Sequence, residues 1–552
     1  MDPRIFQQAE QALRAGRAAD ARALLLPLLA AHPGDPAVLR GLVAASAALG
    51  DVDGAIGYFR QLAKRAPRPL AVLDELARYC LAHGRAAVAV DAYQRYLARH
   101  PESAIAHFNC AWYATRLARH ELAIEHYRKA LALGIERPEE VHLNIANICS
   151  GALRDDARAR EHLQRALAIN DSYAAAWFNL GNLEEQQGQR DAARRCFERC
   201  LEIEPGNVVA LARLAETHDF HGGAESGLLA RMAEAAQRSQ DPDLHFALGR
   251  AHEQRGEHAD AWRHYTVANE QDQREFPRYD PADWERRVDR IIATCTPDWL
   301  ARLRQDQTRA PVFICGMFRS GSTLVEQVLA AHPAFTPAGE REFFPRLVAQ
   351  SLPGYPDGLE SVGEKQLRAW AHAYVEESER VFGRGARLTD KRPDNFLYLG
   401  LIKAMFPRAK IVVTQRDWRD VAVSVFGTRL GPSAAYSTDL GHIRHYIAQH
   451  DRLIGHWRTL FGEELVTVQY EVLIAEPRAT IVRLLAALGE PWDERCLAFH
   501  DLRNTVKTAS VWQVRQPFYG SSVGRWRRFA GAFSAAFGTR HEDLDAFAGD
   551  RG

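Results

Sequence analysis

The sequence predicts two kinds of structure in one chain: an all-α solenoid of paired helices, then an α/β domain built on a parallel sheet. Three observations carry this. The first half repeats a pattern of small and large residues about every 34 positions. Beyond about residue 310 the period changes to short β-branched runs separated by helical patterns. One of those runs opens into a Gly/Ser/Thr-rich turn and then an amphipathic stretch, "FICGMFRSGSTLVEQVLAAHP" from Phe313 to Pro333, which is the layout of a phosphate-cradling loop.

Composition bounds the answer. A chain of 552 residues exceeds what one hydrophobic core supports. Apolar residues make up 47 % and charged residues 25 %, ordinary for globular protein. Seventy Lys plus Arg balance seventy Asp plus Glu, which argues against a general nucleic-acid or membrane-surface binder and leaves room for a local basic cleft. The eight cysteines contain no CxxC pair, so neither a metal site nor a disulfide scaffold is expected. Cys196 and Cys200, four apart on a predicted helix, read as packed thiols. The best early apolar run, "ALLLPLLAA", is far short of the ~20 residues of a membrane span and lacks the basic lead of a signal peptide. The expectation is a cytoplasmic protein with no membrane span.

The repeats come first in the chain. In "AWFNLGNLEEQQGQRDAARRCFERCLEIEP", Trp177, Leu180, Gly181, Gly188, Ala193, Phe197, Cys200 and Pro205 occupy the small-or-large positions of a two-helix unit. Thirty-four residues earlier stand Leu143, Ala146, Asn147, Arg154, Ala159, Leu163, Ala166 and Asp171. Pro33, Pro67 and Pro101 keep the same interval, and Leu248, Gly249, Gly256, Ala261, Tyr265 and Ala268 form a later unit. Small residues let the two helices of a unit approach, large ones fill the gap to the next unit, and proline stops the second helix. The pattern resembles the tetratricopeptide repeat, with roughly seven or eight units up to residue 276 and an irregular one near 206–240. Such stacks usually bind proteins or peptides, so a peptide or protein partner is expected at the array, with capping or dimerisation of the second half as the plainer alternative.

Residues 277–310 read as a charged helical linker and 311–545 as the α/β domain. "PVFICG", "AKIVVTQRD" and "EELVTVQYE" are its strand-like runs. The first delivers the chain to a turn where Gly316 and Gly321 permit tight backbone geometry. Ser320, Ser322 and Thr323 supply hydroxyls, and the next helix offers free N–H groups. Taken alone, a serine-rich turn is also a common helix cap. A second group lies downstream in "LTDKRPDNFLYLGLIKAMFPRAKIVVTQRDWRDVAVSVF". Arg416 closes a predicted strand, Ser424 follows eight residues later within a helix, and Lys391 ends another strand-like stretch.

From Pro311 to about Phe529 the sequence resembles the sulfotransferases that use 3′-phosphoadenosine 5′-phosphosulfate. "FRSGSTLVEQVLAAHP" is similar to their 5′-phosphosulfate loop, "VVTQRDWRDVAVS" to their 3′-phosphate motif, and "FYGSSVGRWRRF" to their tail. The resemblance implies a P-loop-like α/β fold and that donor as co-substrate, with no metal. It explains the missing Gly-Lys-Ser/Thr signature, because a phosphosulfate has no γ-phosphate to be clamped through magnesium. Arg319 is similar to the loop arginine of the tyrosylprotein sulfotransferases, where a guanidinium can donate two bonds to sulfuryl or bridging oxygens.

The same resemblance assigns the chemistry. No histidine stands in the motif context of the small-molecule enzymes' base; His332, in "AAHP", reads as a helix-end residue. Glu340, in "HPAFTPAGEREFFP", falls on the glutamate base of the tyrosylprotein enzymes, with Glu342 as the alternative. Lys391 matches a catalytic lysine that stabilises the bridging oxygen. Arg319, Ser320, Gly321, Ser322, Thr323, Arg416, Ser424 and Tyr470 are expected around the nucleotide, and Arg525, chosen from the cluster with Arg527 and Arg528, at the 3′-phosphate. Tyr470 also reads as a plain strand residue. The acceptor hydroxyl is left open among protein tyrosine, carbohydrate and lipid. Two other readings stand beside this one: a repeat scaffold carrying a degenerate nucleotide-binding domain, and a P-loop kinase, which the absent lysine disfavours.

Overall fold

The computed structural model describes residues 3–223, 225–301 and 310–538. Residues 302–309 of the expected linker and 539–545 of the expected α/β domain lie outside the described residues. The chain divides into two compact units, Met1–Ala176 and Trp177–Gly552.

The first unit is a run of antiparallel helix pairs: Pro3–Arg14 with Ala18–Ala31, Pro36–Ala48 with Val52–Arg65, Pro69–Ala82 with Ala86–Leu97, Ala104–Arg116 with His120–Ala132, and Pro138–Gly151 with Asp156–Ile169. Proline starts four of them, at Pro3, Pro36, Pro69 and Pro138, where its fixed φ suits the helix and its missing N–H is not needed. The prolines with the repeat interval, Pro33, Pro67 and Pro101, fall between one pair and the next.

Buried histidine pairs link the two helices of several units. Within the first unit the Nδ1 atoms of His107 and His126 are 2.7 Å apart, and those of His142 and His162 2.8 Å. His107 also has Nε2 at 3.1 Å from the Pro101 carbonyl. That contact takes a proton on Nε2, so its Nδ1 accepts from the Nδ1–H of His126. The second unit repeats the device with His245 and His264 at 3.0 Å. Burial, then the neighbouring imidazole, pushes His126, His162 and His264 down to about 4. Protonation removes the acceptor and places two cations together.

In the second unit the helices Arg190–Ile203, Val208–Glu216, Ser226–Arg238, Pro242–Gln254 and His258–Glu275 continue the pairing. The pair starting at Val208 is the irregular one, with a first helix of nine residues. Glycine is required where helices meet most closely: a Cβ on Gly181 would lie 2.6 Å from the Phe197 ring and one on Gly249 2.3 Å from the Tyr265 ring. The helix Pro281–Thr294, capped by Asp280, buries Val288 and Ile291.

A five-stranded, fully parallel sheet follows: β1 Val312–Gly316, β2 Thr336–Gly339, β3 Leu388–Lys391, β4 Lys410–Gln415 and β5 Leu465–Gln469, in the order β2-β3-β1-β4-β5. The period of two sorts its side chains onto two covered faces. Val312, Ile314, Val412 and Val468 pack with Val325, Leu329, Leu484 and Leu485. Phe313, Cys315, Ile411 and Val413 face the other core, which also contains Phe246, Tyr265 and Ala268 of the last helix pair. Polar contacts reinforce this shared core: Asn269 Nδ2 donates to the Phe426 carbonyl at 2.8 Å, and Arg429 donates to Asp272 at 3.0 Å and Asp243 at 2.9 Å. All eight cysteines, Cys196 and Cys200 among them, are free and buried.

The histidine pairs make stability depend on pH. The folded values lie below the usual 6.5, so the unfolded chain takes up protons first as pH falls. Their contribution is complete above about pH 6.5 and is lost as pH drops towards about 4. The thermal midpoint, followed by circular dichroism from pH 7.5 to 4, is expected to fall progressively over that window. The double variant His142→Leu/His162→Leu is expected to flatten part of the slope, and an unchanged slope would count against this origin.

Candidate functional site at the carboxyl edge of the sheet

Five parallel strands end on the same edge, and each delivers one expected site residue there. Glu340 follows β2, Lys391 ends β3, the Arg319 loop follows β1, Arg416 follows β4 and Tyr470 follows β5. Ligands of open parallel sheets collect at this edge, in the crevice where strand order reverses. Here the order reverses beside β1, the strand that carries the loop.

The loop is built by unusual backbone. Gly316 has φ 149°, and a Cβ there would lie 2.5 Å from the Thr414 carbonyl oxygen on β4. Gly321 has φ 100° and faces the Tyr470 ring, which a Cβ would meet at 2.7 Å. Arg319 takes φ 69°, a left-handed conformation costing a non-glycine residue roughly 1–2 kcal/mol. Ser320 is buried and donates to the Met317 carbonyl at 2.6 Å, while Thr414 Oγ1 lies 2.6 Å from its oxygen. Its hydroxyl therefore braces the loop from inside. Ser322 and Thr323 open the helix Ser322–Ala330, which has no side-chain cap. Its first N–H groups lack intrahelical partners by construction, and the helix dipole adds positive potential there.

Two arginines converge on this turn. Arg319 donates from Nε to Ser424 Oγ at 3.0 Å, from Nη1 to Ser510 Oγ at 2.6 Å and from Nη2 to Gln513 Oε1 at 2.8 Å. Arg416 donates from Nη1 to the Arg319 carbonyl at 3.0 Å and from Nη2 to the Ser522 carbonyl at 2.5 Å. Its guanidinium carbon sits 4.6 Å from the Tyr470 ring centroid, within cation–π range, and its buried Nε has no hydrogen-bond partner. Burial, then Arg525 and Arg416, push Arg319 down to about 10, so it stays cationic at neutral pH in a pocket with too little negative charge. An anion relieves that excess. The cavity is lined by Arg319, Ser322, Thr323, Arg416, Ser424 and Tyr470 among others.

Lys391 is fully buried, and its Nζ donates to Glu340 Oε1 at 2.6 Å; the Glu340 side chain keeps 32 % of its exposure. Ile314 on β1 pairs in register with Lys391, so the Lys391 backbone lies one strand, about 4.8 Å, from the strand that carries the loop. Arg392 is engaged by Glu342 at 2.6 Å and by Asp394 at 2.6 Å. Glu342 therefore has its own partner, and the Lys391–Glu340 pair is separate from it. His332 lies elsewhere: Nε2 donates to the Pro491 carbonyl at 3.1 Å and Nδ1 accepts from the Ala334 N–H at 3.2 Å, a buried structural role.

Arg525 lines the same cavity, but its guanidinium is held by Glu253 of the helix Pro242–Gln254, at 2.6 and 2.5 Å. Burial pulls its pKa down, and Glu253 more than reverses this. The neighbouring tail is fixed by Asp420, whose carboxylate accepts the N–H groups of Gly524 at 2.7 Å and Trp526 at 2.9 Å. Sequence reasoning missed Thr414, Asp420, Thr508, Ser510 and Gln513. The first two sit in segments already singled out. The other three lie in "KTASVWQ", a stretch with neither periodicity nor motif.

The strain at Gly316 gives a direct check. Gly316→Ala forces a Cβ against main chain that cannot yield, and is expected to weaken binding of 3′-phosphoadenosine 5′-phosphate by about tenfold or more, an estimate from overpacking costs of about 1–3 kcal/mol. Isothermal titration calorimetry reads it; unchanged affinity would mean the loop is not the anion site.

Comparison with known proteins separates a repeat-bearing part of the chain from an α/β part. Residues 311–494 match the Sulfotransferase family, and residues 6–68, 75–138 and 174–207 match tetratricopeptide repeats. The chain thus joins a tetratricopeptide-repeat array to a sulfotransferase-family domain. An uncharacterized protein of Aquifex aeolicus (strain VF5) is 29 % identical over 389 residues, 67 % of this chain and 50 % of its own length. Protein-tyrosine sulfotransferase 1 of Danio rerio is 27 % identical over 216 residues, 37 % of this chain and 60 % of its own length. The chain thus spans about half the length of the first relative and less than two thirds of the second. Among solved structures, the sulfotransferase domain of the Synechococcus PCC 7002 olefin synthase is 23 % identical, with a TM-score of 0.31 over 41 % of this chain and 90 % of that one. No helix among the described residues is long and apolar enough to cross a membrane.

Proposed function

We propose that the second unit transfers a sulfuryl group from 3′-phosphoadenosine 5′-phosphosulfate to an acceptor hydroxyl, with protein tyrosine the first candidate. The observation that carries this reading is the Arg416–Arg319 contact at 3.0 Å beside the Lys391–Glu340 pair at 2.6 Å, all at one sheet edge. The two arginines receive the anionic groups of the nucleotide, and the Glu340 carboxylate, at the same edge of the sheet, receives a proton. The unpartnered Nε of Arg416 and the uncapped start of the helix Ser322–Ala330 fit an anionic donor.

The step follows from charge. The acceptor O–H loses its proton to Glu340 as its oxygen forms a bond to sulfur. The bond from sulfur to the bridging phosphate oxygen breaks, and the electron pair stays on the nucleotide phosphate. Lys391 and Arg319 neutralise that growing charge, an effect strongest in a site with little water. Before substrate arrives, the Lys391 ammonium holds Glu340 in place. Arg416, Ser424 and the Tyr470 ring hold the nucleotide's other end. The repeats of the second unit engage the acceptor, as such repeats bind peptides. The names of the protein-tyrosine sulfotransferase relatives favour a tyrosyl acceptor over sugar or lipid.

Sulfuryl transfer to a panel of tyrosyl peptides, simple phenols and sugars, using the whole chain, tests the reading. Glu340→Gln is expected to lower kcat by about 10²–10⁴, the usual range for a general base, while the affinity for 3′-phosphoadenosine 5′-phosphate stays within a few-fold. A variant that keeps full turnover removes Glu340 from the mechanism. A wild-type chain that binds neither donor nor product removes the nucleotide reading.

A further inference from the structure

We infer that two carboxylates of the repeat helices, Glu185 and Glu253, position the segment that closes the anion site, so the last repeats form part of the nucleotide-binding machinery. The inference rests on the nucleotide reading for its consequence, and on contacts within the second unit for its geometry.

The closing segment runs from about residue 504 to 525 and is gripped on two sides. Its inner side meets the anion site. Ser510 and Gln513 accept from the Arg319 guanidinium at 2.6 and 2.8 Å, Thr508 Oγ1 lies 3.4 Å from Thr323 Oγ1, and the Ser522 carbonyl accepts from Arg416 at 2.5 Å. Its outer side meets the repeats. The Trp512 indole N–H donates to Glu185 Oε1 at 2.9 Å, and the Val506 N–H donates to the Gln186 carbonyl at 2.9 Å. Arg190 stacks over the Trp512 ring at 4.7 Å. At the far end Glu253 holds Arg525 with two bonds and accepts from the Tyr265 hydroxyl at 2.9 Å.

Neither carboxylate is a solvated surface group. Glu185 is 1 % exposed and also ion-pairs with Arg213 of the next helix pair. Such a carboxylate is fixed in place, and it fixes what it holds. Trp512 and Gln513 are adjacent, one facing Glu185 and the other Arg319, so moving the indole moves the amide that orients the loop arginine. The segment has no regular structure beyond the short turn Gln513–Arg515. Its conformation is therefore supplied by partners, and the outer partners belong to the repeats. Arg319, already in a left-handed backbone conformation, depends on that support to present its guanidinium.

The test separates positioning from packing. Glu185→Ala removes the acceptor, Trp512→Phe removes the indole donor while keeping a ring, and Glu185→Gln keeps an acceptor for the indole. Glu185→Ala and Trp512→Phe are expected to raise the Kd for 3′-phosphoadenosine 5′-phosphate about tenfold, the usual consequence of losing a hydrogen bond to a buried charged group. Glu185→Gln keeps one oxygen for the indole but loses the ion pair with Arg213, and is expected to raise the Kd less than Glu185→Ala does. Hydrogen exchange read by mass spectrometry is expected to speed up over residues 504–516 in the first two variants, with β1 and β4 still protected, which establishes that they are folded. Unchanged affinity together with unchanged exchange in Glu185→Ala and Trp512→Phe overturns the inference. If the wild-type chain takes up no nucleotide, the nucleotide reading fails, and the exchange of residues 504–516 alone decides whether Glu185 holds the segment.

Discussion

The guanidinium of Arg416 is the constraint on which the site depends. It joins four parts of the chain that are remote in sequence: β4, which it follows; the Arg319 carbonyl in the loop after β1; the Tyr470 ring after β5; and the Ser522 carbonyl in the tail. A lysine at this position offers one point charge and cannot reach two carbonyls while lying flat on a ring. The arginine therefore orders the loop as well as charging the pocket. Because it donates to the main chain of Arg319, it also favours the left-handed turn that projects the Arg319 side chain.

This arrangement concentrates cations. Arg319 is depressed towards about 10 by burial and by Arg525 and Arg416, and of these three arginines Glu253 pairs with Arg525. Partly buried like charges raise the free energy of the empty site. Hydrogen bonds from Arg319 to the oxygens of Ser424, Ser510 and Gln513 disperse that charge without neutralising it. The same excess is what a phosphate or phosphosulfate relieves on binding. The Lys391–Glu340 pair differs in kind: it is internally neutral, and so keeps a carboxylate at the edge of a basic site without collapse onto either arginine.

What the sequence made legible was local. The Gly316–Gly321 turn, the β-branched strand runs and the strand-end Arg416 are each written in a few adjacent residues, because φ preference and side-chain alternation act over short range. The repeat positions were legible for the same reason, and Gly181 against Phe197 and Gly249 against Tyr265 give the close approach its geometry. The rest depended on long-range contact. Nothing in "KTASVWQ" marks Ser510 and Gln513 as partners of Arg319, since they have no period and gain meaning only when the segment is laid over the loop. Arg525 was readable as a basic tail residue, but its hold by Glu253, 272 positions earlier, was not. His332, read from the sequence as a helix-end residue, spends both ring nitrogens on main chain.

The histories of the two sequence halves and the physical division of the molecule do not coincide. The motif pattern changes beyond residue 276, yet the chain becomes one compact unit from Trp177 onward, and the last helix pair contributes Phe246, Tyr265 and Ala268 to the core that covers the sheet. A helix pair that lends its apolar face to a neighbouring domain cannot move independently of it without exposing that face, at a cost of about 25 cal/mol per Å². Repeats that ordinarily stack only on one another are here continuous with a sheet-bearing core, through Asn269 on Phe426 and Arg429 on Asp272 and Asp243. A ligand on the helices from Trp177 to Glu275 would therefore act on a body that already includes the loop after β1, with no hinge between them.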